Sequence, residues 1–138
     1  MAYIDKSKTD DWRTPSKIYK KFMNLGYFDP CPYKSSFDGL AIEWKERNFV
    51  NPPYSKLKEW VNKAIEENKK GKEVILLIPA RTDTKTFRTI WEYGADIHFI
   101  TGRLKFNDTN SAPFPSLAIQ LTGGHTFTFL ARREDLEE

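Results

Sequence analysis

The chain has 138 residues, 39% hydrophobic and 14% aromatic, with 22 basic and 19 acidic side chains and a formal net charge of +3. That composition fits one folded domain with a real core and excludes a disordered chain. No apolar run approaches the roughly 20 residues that a membrane-spanning helix needs. A single cysteine, Cys31, and two separated histidines exclude an internal disulfide and argue against a zinc site.

The charge is unevenly spread. Four of the 19 acids (Glu134, Asp135, Glu137 and Glu138) lie in the last five residues, which leaves 15 acids against 22 basic residues in the body. A basic body suits a polyanionic partner, although a solvated lysine-rich surface has the same composition. The N-terminus has no signal-peptide stretch, and the cysteine usage fits a reducing cytoplasm.

Residues 1–11 are polar and charged and read as a flexible arm. Thr14-Pro15 reads as a helix start, with Thr14 as cap and Pro15 at the first helical position. Ile18, Phe22 and Leu25 then share one helix face, and Gly26 stops it. Trp12 is either a lid over a pocket or a core aromatic. Tyr27-Phe28 is a short strand running into Asp29-Pro30-Cys31-Pro32, where Asp29 is a turn aspartate or a ligand group. Asp38-Gly39-Leu40 is a turn signal.

Phe49 and Val50 end a strand that begins at Arg47. Asn51-Pro52-Pro53-Tyr54 follows, and a helix opens at Ser55. A Pro-Pro pair donates no backbone hydrogen bonds and fixes φ, so this turn is stiff. It aims the Asn51 carboxamide and the Tyr54 ring in set directions at a strand's carboxyl end, where open α/β sheets hold their ligands. Paired amide donor and acceptor groups beside a stacking face suit an extruded purine.

The helix from Ser55 to about Lys70 carries an apolar stripe of Leu57, Trp60, Val61, Ala64 and Ile65, with Lys56, Glu59, Asn62, Lys63, Glu66 and Glu67 opposite. Glu73–Pro79 is a continuously apolar strand that reads as buried on both faces. Arg81 and Thr82 sit at its carboxyl end, on the same rim as Asn51, where they are candidates to contact a phosphate or shape the pocket, or simply order the loop. Asp83 caps a helix over Thr84 to Tyr93. Asp96 to Thr101 is a further strand. Gly102-Arg103-Leu104-Lys105-Phe106 alternates basic and apolar residues toward a turn-rich tip at 107–110. Arg103 and Lys105 are phosphate-clamp candidates or solvated edge charges. Ser116–Leu121 and His125–Leu130, joined through Gly123-Gly124, read as a C-terminal β-hairpin.

Asn51-Pro52-Pro53-Tyr54 matches the motif of amino-group DNA methyltransferases, and the surrounding chain resembles the small phage-type DNA N6-adenine methyltransferases (Dam-like). The resemblance also rests on Asp11-Trp12-Arg13-Thr14-Pro15, Phe28-Asp29-Pro30-Cys31-Pro32, Asp38-Gly39-Leu40, the stretch from Leu77 to Thr84, Gly102-Arg103-Leu104-Lys105-Phe106 and Pro113-Phe114-Pro115-Ser116. It runs from about residue 10 to about residue 121.

The resemblance implies methyl transfer from S-adenosylmethionine (AdoMet) to the N6 amino group of a flipped adenine in DNA, without a metal. In it Asn51, Pro52, Pro53 and Tyr54 are the catalytic turn. Trp12, Thr14, Pro15, Asp29, Pro30 and Asp38 are the cofactor candidates, with Asp38 on the ribose. Arg81, Thr82, Arg103 and Lys105 are the DNA candidates. The implied fold is α/β: a minimal, truncated Rossmann-like AdoMet-dependent methyltransferase sheet with flanking helices and the C-terminal β-hairpin, in one domain over residues 1–138 with an acidic tail at 132–138. Asp29 and Asn51 are 22 positions apart, too close for two further complete βα units, so the second and third strands are missing or vestigial. No glycine-rich turn follows Asp29-Pro30, a departure from the broad family pattern. Open alternatives are a non-catalytic DNA-binding module that kept the fold, or the same chemistry on cytosine N4, RNA or a protein glutamine. The implied partner is DNA, with no membrane, room for a homodimer, and a cytoplasmic setting in a bacterial or phage-infected cell.

Overall fold

The computed structural model describes residues 12–108 and 111–138. The expected arm at residues 1–11 lies outside them, as do residues 109 and 110 at the loop tip. In chain order the elements are α1 (Ser16–Asn24), β1 (Arg47–Val50), α2 (Leu57–Lys69), β2 (Glu73–Pro79), α3 (Lys85–Tyr93), β3 (Ala95–Thr101), β4 (Ser116–Leu121), β5 (Phe127–Arg132) and α4 (Arg133–Leu136). A 3-10 turn over Tyr54–Lys56 leads into α2, and another spans Phe106–Asp108.

The strands form one five-stranded mixed sheet in the order β1-β2-β4-β3-β5. β1, β2, β3 and β5 all run the same way, and β4 runs against them. Phe28 adds an isolated parallel bridge beside Asn48 of β1. The expected first strand is therefore reduced to a single bridge, and residues 29–46 contain no strand, which matches a sheet lacking its second and third members. Because the parallel strands share one direction, the residues that follow Phe28, β1, β2 and β3 emerge on one rim. The segment entering β4 begins there too.

Side-chain alternation along β2 divides the core. Val74, Leu76 and Ile78 join Val50, Trp60, Val61, Ala64 and Ile90 on the face covered by α2 and α3. Leu77 joins Phe49, Ile18, Leu104, Phe106 and Phe114 on the other, with α1 and the loop after β3. The functional motif belongs to this second layer, through Tyr54 and Trp12.

Four local expectations need correction. The C-terminal β-hairpin does not form. β4 already has β2 on one edge and β3 on the other, so no edge remains for β5, which pairs instead with the far side of β3. The connection passes over the start of β3 at Gly94, whose carbonyl accepts the Thr122 and Gly123 N–H groups at 3.0 Å. A Cβ on Gly94 would lie 2.0 Å from the Gly124 carbonyl oxygen, so only glycine allows that passage.

The second correction concerns α1, which starts at Ser16 with no side-chain cap from its own flank. Its C-terminus is as expected. Gly26 takes a positive φ of 89°, its N–H bonds to Met23 and the Tyr27 N–H bonds to Phe22, the paired closure of a Schellman motif. The third correction is that α3 is capped by Thr84, not Asp83: the Thr84 hydroxyl accepts the Phe87 N–H at 3.2 Å.

The fourth is Glu67, assigned by periodicity to the polar face of α2 but fully buried. Its carboxylate accepts the Trp44 N–H at 3.1 Å and pairs with Lys63, Lys70 and Lys72 at 3.2, 3.2 and 2.5 Å. Three cations and an amide satisfy a charge that could not otherwise leave water. The result anchors residues 41–44 to α2, with Trp44 stacked near Trp60 and its indole N–H on the Gly39 carbonyl at 2.8 Å. Desolvation alone would raise the Glu67 pKa. The bonds from Lys72, Trp44, Lys63 and Lys70 outweigh it and hold the group at about 2, below its reference of 4.5.

A carboxylate depressed in this way contributes stability above its unfolded pKa and loses that contribution as pH falls through the folded one. Denaturant unfolding should therefore show stability falling from about pH 4.5 toward about pH 2. Glu67→Gln should flatten that segment, and Glu67→Ala should cost about 2 kcal/mol at neutral pH. An unchanged acid limb in Glu67→Gln would remove Glu67 from this role.

Candidate active site

Asn51 stands one residue beyond β1. Pro52 and Pro53 are buried, and Pro53 is extended at φ −66° and ψ 135°, so the chain leaves the strand without adding donors. The Asn51 side-chain nitrogen donates to the Trp12 carbonyl at 2.6 Å and to the Thr14 hydroxyl at 3.1 Å. Its Oδ1 is buried and has no hydrogen-bond partner among the described residues. An unpaired buried acceptor costs about 1–3 kcal/mol, so it marks a place where a donor belongs.

Tyr54 follows immediately. Its ring lies nearly parallel to that of Trp12, 18° apart with centroids at 6.3 Å, and Phe114 meets both rings edge-on at 5.3 and 5.5 Å. Arg81 places its guanidinium 5.9 Å from the Phe114 ring. Burial pushes the Tyr54 hydroxyl pKa well up, with Arg81 a smaller opposing influence, so Tyr54 stays a neutral phenol. That hydroxyl also lacks a partner among the described residues. Of its two readings, lid or core aromatic, Trp12 packs as a core aromatic, and it also lines the cavity beside this turn.

Beside this turn is a cavity of about 340 Å³, lined by Trp12, Arg13, Thr14, Tyr19, Asp29 and Asn51 among others. The volume falls within the usual range for small-molecule sites. Asp29 accepts the Cys31 N–H at 2.8 Å, so it is a turn aspartate as well as a pocket group. Desolvation raises its pKa to about 6, although the Cys31 N–H and the Tyr19 hydroxyl pull the other way. Tyr19 is itself pushed up to about 12 by burial and by Asp29. At the mouth, the Arg13 guanidinium lies 4.0 Å from the centre of the Tyr33 ring.

Not every expected residue reaches the cavity. Pro15 and Pro30 are buried but do not line it. Asp38 is exposed and caps its own turn, accepting the Leu40 N–H at 3.0 Å, so it is not placed to grip a ribose there. The missing glycine after Pro30 has a counterpart nearby. A Cβ on Gly39 would lie 2.0 Å from the Pro30 carbonyl oxygen, so the close backbone approach is made within the protein. Arg81, Thr82, Arg103 and Lys105 are all exposed, and Arg103 donates to the Ala112 carbonyl at 3.2 Å. His98 stacks on Phe129 at 4.9 Å, a packing role.

Sequence reasoning missed Arg13, Tyr19, Cys31 and Tyr33 as lining residues and Phe114 as the third ring. Tyr19 lies one helical turn beyond Pro15, whose carbonyl accepts its N–H at 3.0 Å. Phe114 had only its place in Pro113-Phe114-Pro115.

The family model for DNA N-6-adenine-methyltransferase (Dam) matches residues 2–116. No curated protein matches the chain. Among solved structures, the crystal structure of a predicted O-methyltransferase from Agrobacterium tumefaciens is 18% identical with a TM-score of 0.43, over 68% of this chain and 44% of that one. The chain therefore spans less than half the length of that protein.

The Asp29 carboxyl should titrate near pH 6 in a side-chain NMR titration, and Tyr19→Phe should move it higher, because the lost phenol bond favours the ionised form. A lower value in Tyr19→Phe would mean that the two groups are not bonded.

Proposed function

The chain belongs to the DNA N-6-adenine-methyltransferase (Dam) family, and from that premise we propose that it transfers a methyl group from AdoMet to the N6 amino group of an adenine flipped out of DNA. The observation that carries this reading is the Asn51 carboxamide, held by its nitrogen with its oxygen buried and unpaired. An exocyclic amine is the matching donor. The buried Tyr54 hydroxyl is a second unmet group in the same turn.

The cavity residues fit the cofactor. They supply a positive Arg13, a carboxyl at Asp29, aromatic walls and a suitable volume. Arg13 suits the carboxylate of an amino-acid moiety, and Asp29, once ionised, suits its ammonium. When bound, AdoMet supplies an electrophilic methyl group on a sulfonium that departs as a neutral thioether. The protein's part is alignment and electrostatics.

The N6 lone pair is delocalised into the purine ring and is a poor nucleophile. Asn51 Oδ1 and the Pro52 carbonyl accept its two N–H groups, which favours a pyramidal nitrogen with a localised lone pair. Tyr54 is the stacking surface for the base, a contact worth roughly 1–3 kcal/mol in single-strand binders. Trp12 and Phe114 keep that ring from turning. The neutral, high-pKa phenol adds no charge beside the base. Arg81, Thr82, Arg103 and Lys105 lie on the same rim and serve as phosphate contacts.

The finer assignments belong to the same reading. The protein is of the phage type, works on DNA in the cytoplasm of a bacterial or phage-infected cell, and has room to act as a homodimer, since so small a rim faces the DNA. Among the described residues no helix is long and apolar enough to cross a membrane.

Incubation with labelled AdoMet and DNA, followed by nucleoside analysis, should give N6-methyldeoxyadenosine. Label only on cytosine, RNA or protein, or no label at all, would overturn the reading. Asn51→Ala should lower kcat by about 10²–10³, the range seen when one preorganised polar contact to a reacting centre is removed, with DNA binding in a mobility-shift assay nearly unchanged. Full activity in Asn51→Ala would refute its role.

A further inference from the structure

The loop after β3 is tied to the segment that holds Asn51. The Asn107 N–H donates to the Arg13 carbonyl at 3.0 Å. Asp108 Oδ1 accepts the Ser16 N–H at 3.0 Å, across 92 positions of sequence. The Phe106 ring meets Trp12 edge-on at 6.0 Å. Asn107 and Asp108 both take positive φ, 64° and 57°, a backbone region that non-glycine residues seldom adopt and that Asn and Asp tolerate best.

These contacts settle a competition for one hydroxyl. By local preference Thr14 would cap α1, with Pro15 in the first helical position. In the folded protein that capping is done from outside, by Asp108, and Pro15 precedes a helix that has no cap of its own. Thr14 is thereby left to accept the Asn51 side-chain N–H. The Trp12 carbonyl, the other anchor of Asn51, lies next to the Arg13 carbonyl held by Asn107. Both anchors of the carboxamide therefore flank an atom clamped by this loop. The same loop carries Arg103 and Lys105 onto the rim.

We propose that Asp108 is a positioning residue: by capping α1 in place of Thr14 it frees the Thr14 hydroxyl to orient the Asn51 carboxamide, and so links the basic loop to the reacting nitrogen's acceptor. This rests on the role of Asn51 given above. Loss of the Asp108 carboxyl leaves the Ser16 N–H without its cap, and Thr14 turns back to the helix. The Asn51 amide then keeps one anchor and can rotate.

Asp108→Ala, Asp108→Asn and Ser16→Pro test this. The Asn51 side-chain amide signals in a ¹⁵N–¹H NMR spectrum, assigned by their loss in Asn51→Ala, report its orientation without turnover. Kinetics with AdoMet and DNA report the consequence. Asp108→Ala should shift or broaden the Asn51 pair and lower kcat about tenfold or more, since small misplacements of an aligned group carry such costs, with KM for DNA within about twofold. Asp108→Asn, whose amide oxygen accepts the same bond, should restore both. Ser16→Pro removes the very N–H that would draw Thr14 back while keeping a residue the first helical turn tolerates, so the Asn51 pair should stay in place in Ser16→Pro and return to its wild-type position in Asp108→Ala/Ser16→Pro. Unmoved Asn51 signals in a folded Asp108→Ala protein would overturn the proposal, as would displaced signals in Ser16→Pro alone or equal losses in Asp108→Ala and Asp108→Asn. An inactive wild type would instead defeat the methyl-transfer reading while the Asn51 signals still tested the link.

Discussion

Two hydrogen bonds from one side-chain nitrogen govern this site. A carboxamide can present either end, and in an isolated turn Asn51 would do both. Here its partner is the Trp12 carbonyl, which can only accept, so the nitrogen must face it. The oxygen is left pointing away, buried and unpaired. Everything that makes the turn a recognition site depends on that choice, and it is enforced by residues 12–14, nearly 40 positions upstream. The stiffness of Pro52-Pro53 sets where the amide is. The upstream segment sets which way round it is.

The sheet explains how such distant pieces meet. A strand direction shared by β1, β2 and β3, with Phe28 beside β1 in the same sense, brings Asp29, Asn51, Arg81 and Arg103 to one rim. β4 starts on that rim because it runs the other way, and it delivers Phe114 against Tyr54. With residues 29–46 free of strands, the cavity wall there is a loop. That loop is pinned by Gly39 under Pro30 and by the Glu67 cluster on the far face, which gives an irregular segment a fixed shape. Compactness is achieved by replacing whole βα units with a few buried polar ties.

Two carboxylates, Glu67 fully buried and Asp29 half-buried, illustrate the difference between holding a fold and holding a ligand. Glu67 is surrounded by three ammonium groups and an amide, and its pKa falls despite desolvation. Asp29 has one backbone N–H and one phenol, too little to offset burial, and its pKa rises to about 6. A group left short of compensation at the edge of a cavity gains when a cation or donor arrives. The fully compensated one has nothing further to gain.

Much of this was legible locally. The stiff turn at Asn51, the stripe of α2, the apolar β2, the stop at Gly26 and the shortage of chain between Asp29 and Asn51 are properties of neighbouring residues, and spacing, ring constraints and propensity determine them. What only the tertiary structure decided are the pairings across long separations. Periodicity placed Glu67 in water because it cannot count the lysines that converge on it. Turn chemistry joined β4 to β5 because it cannot see that both edges of β4 are taken. Capping preference gave Thr14 to α1, whereas Asp108 capped the helix from 92 positions away and released Thr14 to Asn51. In each case a local preference of about 1 kcal/mol yielded to partners that only the assembled fold brings within reach.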